Sequence, residues 1–110
     1  VVVVFWTSWC PYCRREIQSV NALLNKINKN EIIILPINVG EDSEIVKKFM
    51  NINTYDFTVL LDENMNVSEI YNIESIPTMI FIDEDGNVYD IQKQYCNEKE
   101  IKQILGLNEI

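Results

Sequence analysis

Two cysteines separated by two residues, in Trp9-Cys10-Pro11-Tyr12-Cys13, carry the reactive chemistry of this sequence. Val1 to Phe5 is an unbroken β-branched and aromatic run, which reads as a central strand buried on both faces and leading to Cys10. From Cys13 onward the apolar residues Ile17, Val20, Leu24 and Ile27 recur at helical spacing, and Pro11 falls in the first turn, where a missing N–H costs nothing. Cys10 is therefore expected at the N-terminal tip of a helix. Unpaired backbone N–H groups and the positive end of the macrodipole favour a thiolate there. Only the thiolate attacks a disulfide, so Cys10 reads as the exposed nucleophile. Cys13, one turn further in, reads as the thiol that attacks the resulting mixed disulfide and releases the partner.

Metal binding is the competing use of such a pair. A closed zinc site takes four ligands, and this chain has three cysteines and no histidine. No metal and no bound cofactor are expected; the redox group is the Cys10–Cys13 disulfide itself. Cys96 falls outside every motif and reads as an incidental residue. Three cysteines cannot all pair internally, so this is not a disulfide scaffold.

The pair has to be positioned by a single domain. With 110 residues, 47% of them hydrophobic, the chain is long enough to bury a core. Its mean hydropathy is -0.05. The net charge of -8 argues against nucleic acid, which is held by clustered Lys and Arg, and suits basic or neutral partners. A monomer is expected. No stretch is long enough to cross a bilayer and no secretory-type leader is visible; the chain opens inside a strand without methionine, so an upstream segment carrying any anchor is expected to be missing.

Element by element, Ile32 to Val39 reads as a second buried strand after an Asn28-Lys29-Asn30 turn, completing a right-handed parallel βαβ unit. Asp42 or Ser43 caps a short helix to about Met50, with Ile45, Val46 and Phe49 facing inward. Phe57 to Leu61 reads as extended, Asp62-Glu63-Asn64 as a loop, and Val67 to Tyr71 as a helical turn or two. Thr78 to Ile82 and Val88 to Ile91 read as an antiparallel hairpin around Asp85-Gly86. Asn97 and Glu100 form a capping box for a last helix carrying Ile101, Ile104 and Leu105 and ended by Gly106.

A Cys-x-x-Cys pair at the first strand-to-helix junction, in this element order, resembles the thioredoxin fold: α/β, with a mixed central sheet flanked by helices. Within it the chain most resembles the TlpA/ResA-type thiol-disulfide oxidoreductases. Phe5 to Glu16, Phe57 to Asp62, Tyr71-Asn72-Ile73 with Ile76-Pro77-Thr78, and Phe81 to Gly86 carry the match. The resemblance implies a cis Pro77 lying against the cysteine pair, an isomer that X-Pro bonds reach at a cost of about 0.5 to 1 kcal/mol. It implies that the Ile76 backbone pairs with the substrate chain, and that Trp9, Pro11 and Tyr12 border the contact surface. It also implies an acid at Glu16, three residues after Cys13 on the same helix face, that handles protons during exchange. The local alternative for Glu16 is an early-helix acid favoured by the macrodipole. The thioredoxin acid's own position is Val4 here. Trp6 reads as core. Arg14 and Arg15 read as a solvated face that could add positive potential near Cys10. Three departures stand out: Gln18 where relatives kink the helix with proline, Asn72 where glycine is common, and no N-terminal hairpin.

The resemblance implies an extracytoplasmic reductase, tethered to the outer face of the cytoplasmic membrane. It would be fed by a membrane thiol-disulfide electron carrier and act on protein disulfides such as those of apocytochromes, in cytochrome c biogenesis. Pro11-Tyr12 is the dipeptide glutaredoxins carry and points to an intermediate potential. A glutaredoxin-like reductase and a dithiol oxidase are the enzymatic alternatives, and a redox-inert binding domain the non-enzymatic one. The cysteine pair is an unusual arrangement for a peroxidase.

Overall fold

The central strand is as apolar in place as in sequence: Val2–Trp6 form β1, with all five residues buried. The structure, a computed structural model, describes residues 1–27 and 31–107. The expected Asn28-Lys29-Asn30 turn lies outside the described residues. Eight further elements follow, in the order α1 (Pro11–Leu24), β2 (Ile34–Val39), α2 (Ser43–Ile52), β3 (Leu60–Asp62), α3 (Asn66–Ile70), β4 (Thr78–Ile82), β5 (Val88–Gln92) and α4 (Glu98–Leu105). They build one five-stranded sheet ordered β3-β2-β1-β4-β5. β1 runs parallel to β2 and β2 to β3, while β4 is antiparallel to both β1 and β5. This is the mixed sheet the thioredoxin resemblance implied.

Side-chain alternation splits the core. Val2, Val4 and Trp6 point to one face and join Ile17, Val20 and Leu23 of α1, Val46 of α2 and Ile101 of α4. Val3 and Phe5 point to the other, with Ile37, Ile80 and the partly buried Val67 and Ile73. β2 contains Pro36, which cannot donate to a ladder. Val2 donates to Ile33 O and Gly40 to Asp62 O, so the even-numbered residues of β2 face β3. Pairing with β3 begins only at Ile37–Leu60, so Pro36 precedes it and no bond is lost.

Several boundaries differ from the sequence reading. β1 ends at Trp6 rather than running to Cys10, leaving Thr7-Ser8-Trp9 as a loop. In α1 the buried stripe is Cys13, Glu16, Ile17, Val20 and Leu23, with Leu24 and Ile27 only partly buried. In α2 the inner face is Val46 with Phe49 and Met50, an i, i+3, i+4 stripe that leaves Ile45 out and 47% exposed. The segment at Phe57 pairs only from Leu60, and Phe57 and Val59 instead pack against the core as loop residues.

Asp62, expected in a loop, closes β3 and is buried. Its carboxylate accepts from Val67 N–H (3.1 Å), Ser68 N–H (2.8 Å) and Ser68 Oγ–H (2.6 Å), supplying the acceptors that Met65 does not give at the start of α3. Burial alone would raise its pKa, but these donors outweigh it and hold the carboxyl below its ordinary value. Asp62→Ala should therefore cost about 1–2 kcal/mol, as loss of a cap does. Urea denaturation at pH 7 checks this, and a loss below about 0.5 kcal/mol would show that the carboxylate does not hold α3.

Candidate active site

At the C-terminal end of β1 the chain turns through Thr7-Ser8-Trp9 and enters α1 with Cys10 as its N-cap. The Cys10 Sγ accepts a hydrogen bond from the Cys13 backbone N–H at 3.4 Å, the role an Asp or Ser oxygen plays at other helix starts. Pro11 occupies the first turn as expected. Cys10 is only 7% exposed, which corrects its reading as an exposed thiol. The sulfur folds over the helix end to reach the Cys13 amide, and the exposed groups are its neighbours, Trp9 at 67% and Tyr12 at 59%. All three cysteines are free thiols.

Cys13 is fully buried. Burial pushes its thiol up to about 12, the Thr7 backbone N–H opposes that, and Cys10 and the negative charge of Glu16 add to it. Glu16 is equally buried, one turn along α1 on the same face. Its Oε1 accepts from the Cys96 backbone N–H at 2.8 Å, while Oε2 has no partner among the described residues. Burial raises its carboxyl to about 7, against the pull of the Cys96 amide and with a further push from Glu100. An early-helix acid held only by the macrodipole would lie on the surface, whereas Glu16 is buried on the helix face that carries Cys13. Cys96 is 2% exposed; its backbone N–H, which any residue but proline would supply, is the donor to that carboxylate found among the described residues, and its own thiol is pushed up to about 12 by burial.

Ile76-Pro77 is a cis peptide, as the resemblance implied. Ile76 lines two hollows beside the cysteine loop. One, about 620 Å³, runs past Thr7, Trp9, Glu41, Met65, Glu69 and Glu74. The other, about 380 Å³, is bordered by Tyr12, Pro77, Lys93 and Tyr95. Ile76 thus stands between the two, with Trp9 on the first and Tyr12 and Pro77 on the second, and Pro11 sits on the exposed rim of the helix start. Trp6 is buried in the core. Arg14 is exposed, and the Arg15 guanidinium lies over the Tyr95 ring at 5.1 Å from its centroid. Among the described residues no group of three His, Cys, Asp or Glu side chains converges to hold a metal ion.

The model of the AhpC/TSA family matches residues 1–91. The chain belongs to the AhpC/TSA family. Within that family it is 33% identical over 105 residues to the thiol-disulfide oxidoreductase ResA of Geobacillus thermodenitrificans, covering 96% of this chain and 60% of the relative. The chain therefore spans about 60% of the length of such curated relatives. Among solved structures, StoA from Bacillus subtilis superposes with a TM-score of 0.84 at 23% identity, covering 93% of this chain and 78% of that one. A secreted Mycobacterium tuberculosis disulfide oxidoreductase homologous to E. coli DsbE gives 0.82 at 22%, covering 96% and 78%. These likenesses fix the thioredoxin-like fold of this AhpC/TSA-family domain, and the ResA relative agrees with the TlpA/ResA resemblance.

Three groups at the site escaped the sequence reading: the Cys96 amide, Thr7 and Glu41. Asn38-Val39-Gly40-Glu41 carried a signal in its buried Asn at a strand end and its Gly40, whose φ of +74° suits glycine. Folding takes up a proton at Glu16 between pH 4.5, the ordinary value, and about 7. Stability should be flat below that window and fall by roughly 3 kcal/mol as pH rises through it, because the folded state holds the extra proton. Urea midpoints from pH 4 to 8 should show this slope in the wild type and lose it in Glu16→Gln; the same slope in both would place the titrating group elsewhere.

Proposed function

We propose that this domain is a thiol-disulfide oxidoreductase that exchanges disulfides with extracytoplasmic proteins through Cys10 and Cys13, in the direction of substrate reduction. The observation that carries the reading is the stacking of three groups on one helix start: Cys10 Sγ at the N-cap, Cys13 buried one turn in, and Glu16 one turn further with a carboxyl that titrates near 7.

In the first step the Cys10 thiolate attacks one sulfur of the substrate disulfide, forming a Cys10–substrate disulfide and expelling the other substrate sulfur as a thiolate. The substrate backbone lies beside Ile76, with Trp9 and Tyr12 on either side of the reacting sulfurs. In the second step Cys13 attacks Cys10 Sγ. At about 12 its thiol is hardly ionised at neutral pH, so a base must take the proton as the new bond forms. Glu16, anionic above about 7 and screened from water, is that base. The Cys10–Cys13 bond forms, the Cys10–substrate bond breaks, and the second substrate sulfur leaves as a thiolate. Two electrons pass to the substrate. A dithiol of a membrane electron carrier then restores Cys10 and Cys13, with the domain held at the outer face of the membrane by a segment outside this sequence. Oxidised apocytochromes are the substrates that the TlpA/ResA-type resemblance implies.

Equilibration with glutathione redox buffers, followed by thiol trapping, tests the direction. A reductase gives a potential near about −250 mV, and a value near about −150 mV would instead make it a dithiol oxidase. Cys13→Ser should accumulate substrate disulfide-linked at Cys10, resolved by mass spectrometry. Capture at Cys96, or no interconversion of Cys10 and Cys13 in the wild type, would contradict the exchange reading.

A further inference from the structure

Ser8 lies two residues before Cys10, in the loop that carries the chain from β1 to α1. Among the described residues it takes part in no backbone–backbone hydrogen bond. Its N–H donates instead to Glu41 Oε1 at 2.7 Å, and its hydroxyl donates to Glu41 Oε2 at 2.6 Å. Asn38 Nδ2 donates to the same Oε1 at 2.8 Å. Asn38 is fully buried and stands opposite Trp6 in the β1–β2 register, so the carboxylate bridges the ends of both strands to the loop. Glu41 is 9% exposed, and the ion pairs found among the described residues involve Glu98 rather than Glu41. Its charge is met by three dipolar donors, which makes these charge-assisted and short.

We infer that Glu41 is a positioning residue of the exchange site: through Ser8 it fixes the loop that places Cys10 at the helix cap and Trp9 at the mouth of the 620 Å³ groove. This rests on the exchange reading above. The loop has two duties that depend on its path. Thr7 turns its backbone N–H toward Cys13, and Cys10 must meet the Cys13 amide. Reaction between sulfurs needs alignment, and a displacement of about 1 Å can cost as much as 100-fold in rate. With Glu41 removed, Ser8 can turn to water but the buried Asn38 amide loses its acceptor, so the loop has no anchor on β2.

Glutamine separates geometry from charge. In Glu41→Gln, Oε1 still accepts from Ser8 and Asn38, and Nε2 donates to a rotated Ser8 hydroxyl, so all three links survive without the charge. Exchange with a peptide disulfide should fall at least tenfold in Glu41→Ala and stay within threefold of wild type in Glu41→Gln. Alkylation of Cys10 by iodoacetamide in the reduced protein, which needs access but no partner, should rise at least threefold in Glu41→Ala as the loop stops sheltering it. Ile34→Val, at the far end of β2, controls for lost stability and should change neither rate. Exchange within twofold of wild type in a folded Glu41→Ala, or equal damage from alanine and glutamine, would overturn the inference. If Glu41→Ala does not fold, Ser8→Ala removes one link alone; exchange two- to threefold slower supports the anchor and an unchanged rate refutes it. A wild type that alkylates but never exchanges would refute the exchange reading, while the alkylation arm still decides whether Glu41 holds the loop.

Discussion

A carboxylate out of reach of water organises this molecule. Glu16 sits on the buried stripe of α1, where an aliphatic side chain would ordinarily lie, and the backbone N–H of Cys96 is the donor that meets it. That bond ties α1 to the segment entering α4 across a sequence separation of 80. Burying a charge with one hydrogen bond is unfavourable, so the group keeps its proton to near neutrality instead. The same environment holds Cys13 as a thiol. Two acids that would ordinarily ionise far apart are both perturbed upward on one helix face, and only the carboxyl crosses neutral pH.

The rest of the fold serves this arrangement. The unbroken apolar β1 fills both faces of the sheet and brings the chain to its end at Trp6, so that the loop and helix cap fall at the sheet's rim. The capping box of Asn97 and Glu100 fixes the start of α4, which places the Cys96 amide over Glu16. Lys26 reaches Glu98 at 2.8 Å and ties α4 back to the segment after α1, while Lys102 pairs with the same carboxylate at 2.9 Å within α4, both with the modest weight of surface pairs. A second buried acid, Glu41, does for the loop what Glu16 does for the helix interior, and the two carboxylates differ in their donors. Among the described residues Glu41 has three and Glu16 has one.

Local chemistry made much of this readable. The Cys10 cap, Pro11, the Asn97 box and the Asp85-Gly86 hairpin turn are short-range patterns, and each appears where the residues indicated. What escaped is long-range. No spacing rule connects Glu16 with Cys96, or Ser8 with Glu41 across 33 residues, because those contacts exist only once the sheet has brought its rim together. Asp62 was misplaced in a loop because its role as a cap for α3 depends on donors five and six residues on. The burial of Cys10 followed from the direction of one side chain, which sequence does not specify. Ile45 shows the limit of periodicity in a short helix: it lies about 100° round from Val46, and the buried stripe runs through Val46, Phe49 and Met50 instead.

The most direct test of the account is the ionisation of Glu16 itself, followed by carbon NMR of its labelled side-chain carboxyl in the reduced protein. The account requires a midpoint near 7, where burial places it. A midpoint near the ordinary 4.5 would contradict it, since a carboxyl already ionised in acid would be a solvated group with no special standing beside Cys13.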